Sequence, residues 1–287
     1  MAALFTATAA AQETPYTQRE NIVYGEAHGV GLVMDIFTPN GENNGLGIVD
    51  VISGAWHSDR GKIRDHTRAQ TFHILCRKGY TVFAIRPGSI TKFGVPEMLA
   101  NLNQGIRWAK DHSKDHGIDP DRLGLMGASA GGHLACLAAV TAEDGKTDAI
   151  AGTRVKAVAV FFPPTDFLNY GGKAIDARAD DRMGQLIRRL AFPQGLNNET
   201  AEEMTQKVTQ ISPARLVTRQ APPFLLIHGD ADPVVPLQQS EAMLVALKNA
   251  SVPAELIVKK GGGHPWLTLH EEVQVVADWF DKQLATK

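Results

Sequence analysis

Little in this chain invites a disulfide, a nucleic acid or a membrane. Its 287 residues include two cysteines, Cys76 and Cys136, and both fall in segments that read as helices. They are read as small buried side chains rather than as a bridge, because a disulfide framework needs more of them. Neither sign of charge is in excess: 29 basic against 31 acidic residues, with a pI of about 6.6, leave no basic face for nucleic acid. No apolar run approaches the roughly 20 residues of a membrane span. His57, Asp59, Asp65 and His66 sit close together, but at spacings that fit no zinc site, so metal binding is set aside. No motif calls for a cofactor, and nothing specifies an oligomeric state. Internal repeats, low-complexity tracts and a second-domain linker are also missing.

Lysine and arginine are absent from the first residues as well. Ala2-Ala3-Leu4-Phe5 and the alanine-rich stretch to Ala11 resemble the end of a secretory signal, with Ala9-x-Ala11 before Gln12 as a cleavage site. The charged leader that should precede it is missing. Residues 1–14 are therefore expected to be a signal remnant or an unstructured tail. The first reading implies a periplasmic or extracellular protein, the second leaves a cytoplasmic one open.

What is present is a 44% hydrophobic chain, long enough for one large core over residues 15–287. Apolar segments around Asn21–Tyr24 and Gly31–Phe37 suggest an opening antiparallel pair. Near-continuous runs at Gly47–Ile52, Tyr80–Ile85, Leu123–Met126, Val155–Phe162, Phe224–His228 and Ala254–Val258 read as strands covered on both faces. Helices are expected at Thr67–Lys78, from Pro96 onward, at Leu134–Val140, Leu237–Asn249 and Glu271–Leu284. In the second of these, Leu99, Leu102, Ile106 and Ala109 share a face. This alternation predicts an α/β fold with a mainly parallel central sheet flanked by helices. About 168–211 interrupts it with helical stretches near Arg182–Leu190 and Thr200–Gln210, read as a small cap insertion or as two ordinary surface helices.

The chemistry gathers at Gly127-Ala128-Ser129-Ala130-Gly131, a G-x-S-x-G between a strand and a small-residue helix. A nucleophile elbow needs that context: the serine takes a strained conformation, and Gly127 and Gly131 keep Cβ atoms out of a crowded turn. A serine hydroxyl needs a base, and the base an orienting carboxylate. Asp232 follows the strand at Phe224, with Asp230 as its competitor. Of ten histidines, His264 combines a position after the last strand with a flexible loop, Gly261-Gly262-Gly263. His228 reads as a buried structural residue and His133 as one that packs or bonds locally. The oxyanion hole is assigned to the Ala130 amide and to the Ser53-Gly54-Ala55-Trp56-His57 loop, where Gly54 and Ala55 are small enough for close backbone approach. Trp56 and Trp266 are candidate walls of the substrate pocket, although Trp56 suits packing equally well.

From about Met34 onward the chain resembles the α/β-hydrolase esterases, in particular the carbohydrate-esterase-like branch with acetylxylan and feruloyl esterases. The resemblance is carried by Asp119-Pro120-Asp121-Arg122-Leu123 leading to the elbow, by Ser212-Pro213-Ala214, by Pro222-Pro223 leading to Gly229-x-x-Asp232, and by Gly263-His264. It implies an α/β-hydrolase fold, with Ser129 as nucleophile, His264 as base and Asp232 as orienting acid. The chain departs from the usual pattern twice. Ile52-Ser53-Gly54-Ala55-Trp56 replaces a His-Gly-Gly-Gly-Trp loop, and Ile85-Arg86-Pro87-Gly88 stands where Asp-Tyr-Arg is common. The expected activity is a serine carboxylesterase acting on short-acyl or aryl esters, small-molecule or carbohydrate-linked. A serine exopeptidase of the prolyl-oligopeptidase type and an inactive hydrolase-fold binding protein are the competing readings.

Overall fold

The computed structural model describes residues 14–145 and 152–285. Apart from Thr14, the stretch read as a signal remnant lies outside the described residues.

The chain opens with an antiparallel hairpin of β1 (Tyr16–Ala27) and β2 (Val30–Pro39). His28 and Gly29, with φ of 50° and 74°, make its two-residue turn. Such left-handed pairs suit a hairpin because they follow the twist of its strands. Both strands run past the apolar segments visible in the sequence, since the outer half of β1 is polar and exposed. Six further strands complete the sheet: β3 (Gly47–Val51), β4 (Thr81–Arg86), β5 (Leu123–Ala128), β6 (Ala157–Phe161), β7 (Phe224–Gly229) and β8 (Ala254–Lys259). Their order is β1-β2-β4-β3-β5-β6-β7-β8. β2 runs antiparallel to β4, and every later neighbour is parallel. With helices on both faces, this is the expected α/β-hydrolase fold.

Helices α1 (Arg60–Arg68), α2 (Thr71–Arg77), α3 (Val95–Asp111), α4 (Ala130–Val140), α5 (Arg182–Ala191), α6 (Ala201–Gln210), α7 (Gln238–Asn249) and α8 (Leu269–Ala285) cover the sheet. The period-two alternation of the strands decides which core each side chain joins. Val49, Leu125, Val158, Val160 and Leu226 pack with α3, α4 and α7. Ile48, Val82, Met126, Ala159 and Ile227 point the other way, onto α2 and α8. Each of the valine, leucine, isoleucine and methionine side chains among them, fully buried, contributes roughly 1.5–3 kcal/mol. In α3, Leu102, Ile106 and Ala109 are fully buried, whereas Leu99 is only partly so.

One expected helix is divided. Thr67–Lys78 does not form a single rod, because Gln70 takes a left-handed conformation, φ 59°, which no α-helix passes through. The break lets α2 bury Phe72, Leu75 and Cys76 under the sheet, while α1, with only Ile63 buried, runs back to Asp59. Asp59 caps α1 by accepting from the Gly61 amide at 2.6 Å. The two cysteines are free and buried on different helices, and burial pushes both thiols above their ordinary pKa.

The segment between β6 and β7 holds α5 and α6 near the positions expected. Ile187, Leu190, Met204 and Val208 on their inner faces join the core that includes α3 and α4. Among the described residues no helix is long and apolar enough to cross a membrane.

Candidate active site

The elbow is built by steric necessity. Ser129 joins β5 to α4 with φ 54° and ψ −121°, a conformation that ordinary side chains rarely adopt. A Cβ on Gly127 would lie 2.5 Å from the backbone of Gly131, and one on Gly131 would lie 2.3 Å from the Val51 carbonyl oxygen. Both glycines are therefore required by close approach, as the spacing predicts. The Ser129 amide donates to Phe161 O at 2.9 Å and its carbonyl accepts from His133 at 2.8 Å, which clamps the turn between β6 and α4.

Loops at the carboxyl ends of β7 and β8 bring the other two residues to it. His264 Nε2 lies 2.9 Å from Ser129 Oγ, and His264 Nδ1 lies 2.6 Å from Asp232 Oδ2. A carboxylate only accepts, so Nδ1 carries the proton and Nε2 is free to take the one on Oγ. The Asp232 side chain is fully buried. Burial alone would raise its pKa. Hydrogen bonds from His228, His264 and the Val235 and Val234 amides outweigh that and hold it well below the usual carboxylate range. Asp230, the competing carboxylate, instead accepts from the Gly261 amide at 2.6 Å and ties the acid loop to the histidine loop.

The loop after β3 differs from expectation in one respect. Gly54 and His57 exchange backbone hydrogen bonds, each 2.9 Å, around a tight turn in which Ala55 and Trp56 have φ of 48° and 57°. The Gly54 amide is thereby engaged, so it has no proton to offer a substrate. Size suggested Gly54 as a donor, but donation depends on where the N–H points, and the turn points it at His57. The Ala55 amide, at the outside of the turn, and the Ala130 amide, at the start of α4, have no acceptor among the described residues. Helix geometry adds a partial positive charge at Ala130.

Trp56 does both things open to it: it lines the cavity beside Ser129 and is packed, only 6% exposed. Its indole Nε1 donates to His133 Nδ1 at 3.0 Å, and His133 Nε2 donates to the Ile211 carbonyl at 2.8 Å. His133 thus bonds to partners far away in the chain rather than locally. Buried and with both nitrogens engaged, it is pushed down to a pKa of about 4, burial being the main cause. Trp266 also lines the cavity and is half-buried, its indole donating to Glu272 Oε2 at 2.8 Å.

Phe162 and His66 contribute in ways the sequence does not reveal, and His228, buried as its strand position predicts, adds a further contact. Phe162 lies against the His264 ring at 4.4 Å between centroids, and itself has a positive φ of 37°. His228 is buried on β7, where Nε2 donates to Val235 O at 2.9 Å and lies 3.5 Å from Asp232 Oδ2. Only its position four residues before Asp232 hinted at this. The third is His66, whose Nδ1 lies 2.6 Å from Oδ2 of the fully buried Asp50. The cavity these residues enclose has a volume of about 1000 Å³, walled by the loops after β3, β6, β7 and β8 and by α1 and α5.

Residues 34–247 match the BD-FAE family model. The chain belongs to the BD-FAE family. This BD-FAE chain is 29% identical over 242 residues to the probable carboxylic ester hydrolase LipM of Mycobacterium tuberculosis, across 82% of this chain and 53% of that protein. It is 29% identical over 209 residues to the esterase LipQ of the same organism, across 71% and 46%. The chain thus spans about half the length of these curated relatives. Among solved structures, the truncated form of a carbohydrate esterase from gut microbiota superposes with a TM-score of 0.79 at 25% identity, covering 96% of this chain and 99% of that one.

Proposed function

We propose that this BD-FAE chain is a serine carboxylesterase that cleaves short-acyl or aryl esters, of small alcohols or carbohydrates, through an acyl-enzyme. The observation that carries the reading is the unbroken hydrogen-bonded line Ser129–His264–Asp232, with distances of 2.9 and 2.6 Å. Ser129 Oγ attacks the ester carbonyl carbon as His264 Nε2 removes its proton. The carbonyl oxygen becomes an oxyanion, received by the free amides of Ala55 and Ala130. As the tetrahedral adduct collapses, the C–O bond to the alcohol breaks and Nε2 returns the proton to the leaving oxygen. Water, deprotonated by the same nitrogen, then attacks the acyl-Ser129, and the acid departs as Oγ regains its proton. Asp232 stays ionised throughout and steadies the imidazolium. The names of LipM, LipQ and the gut carbohydrate esterase support ester hydrolysis as the reaction class. α5, which contributes one wall of the cavity, is read as part of a substrate-covering cap.

The test is Ser129→Ala assayed with p-nitrophenyl acetate beside the parent protein. Loss of turnover and of fluorophosphonate labelling, with an unchanged thermal melt, is expected. Turnover at the parent rate in that variant would end the proposal.

A further inference from the structure

The cavity over Ser129 has a charge imbalance that ester hydrolysis does not need. The chain as a whole has slightly more acidic than basic residues, 31 against 29. The cavity lining reverses this: Lys62, Arg68, Arg182 and Arg189 stand against a single carboxylate, Asp65. Asp65 is already engaged, with its oxygens 3.5 Å from Lys62 Nζ and 3.4 Å from Arg68 Nη1.

Helix α5 supplies an internal comparison among its own arginines. Arg188 donates to the carbonyls of Ala177 and Ala179 at 2.7 and 2.9 Å and lies 3.9 Å from Asp180. Arg182 and Arg189, seven residues apart and so on a common face, line the cavity and meet no acceptor among the described residues. The acids that precede the helix are used elsewhere. Asp181 caps the helix through the Gly184 amide at 2.7 Å, and Asp180 accepts from Gln185 at 3.2 Å. Two exposed guanidinium groups thus border the cavity with their donors free.

The α1 side of the same cavity has donors to match. Asp50 binds His66 through Oδ2, and its Oδ1 is buried without a hydrogen-bond partner among the described residues. A buried carboxylate so poorly satisfied favours a protonated imidazole beside it. Burial alone would lower the His66 pKa, but Asp50 holds it above the ordinary imidazole value. With Nδ1 turned to Asp50, the opposite ring edge carries Nε2 away from it, and the ring lines the cavity. Ser53, a residue only 2% exposed, borders the cavity, and its buried Oγ has no hydrogen-bond partner among the described residues.

From this we infer that the preferred substrate is an ester bearing a carboxylate, received by Arg182 and Arg189 of the cap, with His66 as a further donor in the cavity. The inference rests on the esterase reading above. A guanidinium fork matches a carboxylate with two parallel hydrogen bonds, which a neutral analogue cannot form with it in the same charge-assisted way.

Matched ester pairs test it. On the acyl side, mono-4-nitrophenyl glutarate is compared with 4-nitrophenyl valerate; on the alcohol side, 4-acetoxybenzoate with its methyl ester. In at least one pair the anionic ester is expected to have a kcat/KM at least tenfold higher at low salt, mainly through KM. The double variant R182Q/R189Q should lower that ratio tenfold or more, and 0.5 M sodium chloride should compress it in the parent protein. Lys248→Gln, which removes a cation exposed on α7 and away from the cavity, should leave the ratio where it was. Equal or faster hydrolysis of the neutral ester in both pairs, or an unaltered ratio in R182Q/R189Q, overturns the inference and leaves the esterase reading standing. Absence of turnover on all four esters together with no fluorophosphonate labelling overturns the esterase reading, and this inference with it.

Discussion

Gly229→Ala should disable this chain without unfolding it. Gly229 ends β7, three residues before Asp232, and its backbone faces that of Gly262, two residues before His264. A Cβ on Gly229 would lie 2.1 Å from the Gly262 carbonyl oxygen, whereas ordinary contact begins at 3.4 Å, so about 1.3 Å of separation must be found. The backbone of Gly229 is not left-handed, so alanine adds no conformational strain and the clash acts alone. Slippage is resisted because Ala231 N donates to Gly262 O at 3.0 Å and Asp230 N to Lys259 O at 3.1 Å. The histidine loop must therefore swing as a unit. With His264 Nε2 now 2.9 Å from Ser129 Oγ, a displacement of that size takes the base out of hydrogen-bond reach. Misplacement by about 1 Å costs on the order of a hundredfold in rate. Crowding of this kind lowers stability by about 1–3 kcal/mol. Initial rates with p-nitrophenyl acetate, fluorophosphonate labelling rates and a thermal melt measure all three consequences. A folded Gly229→Ala protein that turns over within about twofold of the parent would refute the reasoning.

Asp232→Asn should cost about four orders of magnitude in kcat, because an amide no longer holds His264 in the tautomer with Nδ1 protonated; far-UV circular dichroism should be unchanged. His133 makes stability pH-dependent: folded it titrates near 4 and unfolded near 6.5. Between those values only the unfolded state takes the proton, so stability is full above about pH 6.5 and falls as pH drops toward 4, by about 3 kcal/mol in all. Urea midpoints at pH 7 and 4.5 should differ less in His133→Gln than in the parent; equal differences would remove His133 as the cause. His66→Ala should lower the melting temperature sharply, since Asp50 would be left as a buried charge without its single partner, a loss of roughly 3–5 kcal/mol. Restoring the melt with Asp50→Asn in the same chain is the check on that explanation.

Features that rest on spacing and composition were readable in advance. The alternating apolar runs specify a parallel sheet, and Gly127-x-Ser129-x-Gly131 fixes the elbow, because both follow from periodicity and from where a Cβ has room. The order Ser129, Asp232, His264 was readable for the same reason, since each follows a strand end. Direction was not. Nothing in Ser53-Gly54-Ala55-Trp56 reveals that Ala55 and Trp56 adopt left-handed conformations, and those angles decide which amide stays open. α1 escaped notice because it buries only Ile63 and so lacks an apolar stripe, and with it went the pairing of His66 to Asp50. His133 was misjudged because its partners, Trp56 and Ile211, lie 77 and 78 residues away, beyond any local pattern.

The imidazole of His133 joins three segments at once: the loop after β3 at Trp56, helix α4, and the end of the segment between β6 and β7 at Ile211. Anyone exchanging the segment between β6 and β7 for another has to choose splice points with that in mind. A graft that replaces α5 and α6 but keeps the backbone at Ile211 preserves the indole's anchor and the shape of the turn at Ala55. One that cuts further along would loosen the packing of Trp56 beside Ser129 while seeming to alter only a peripheral segment.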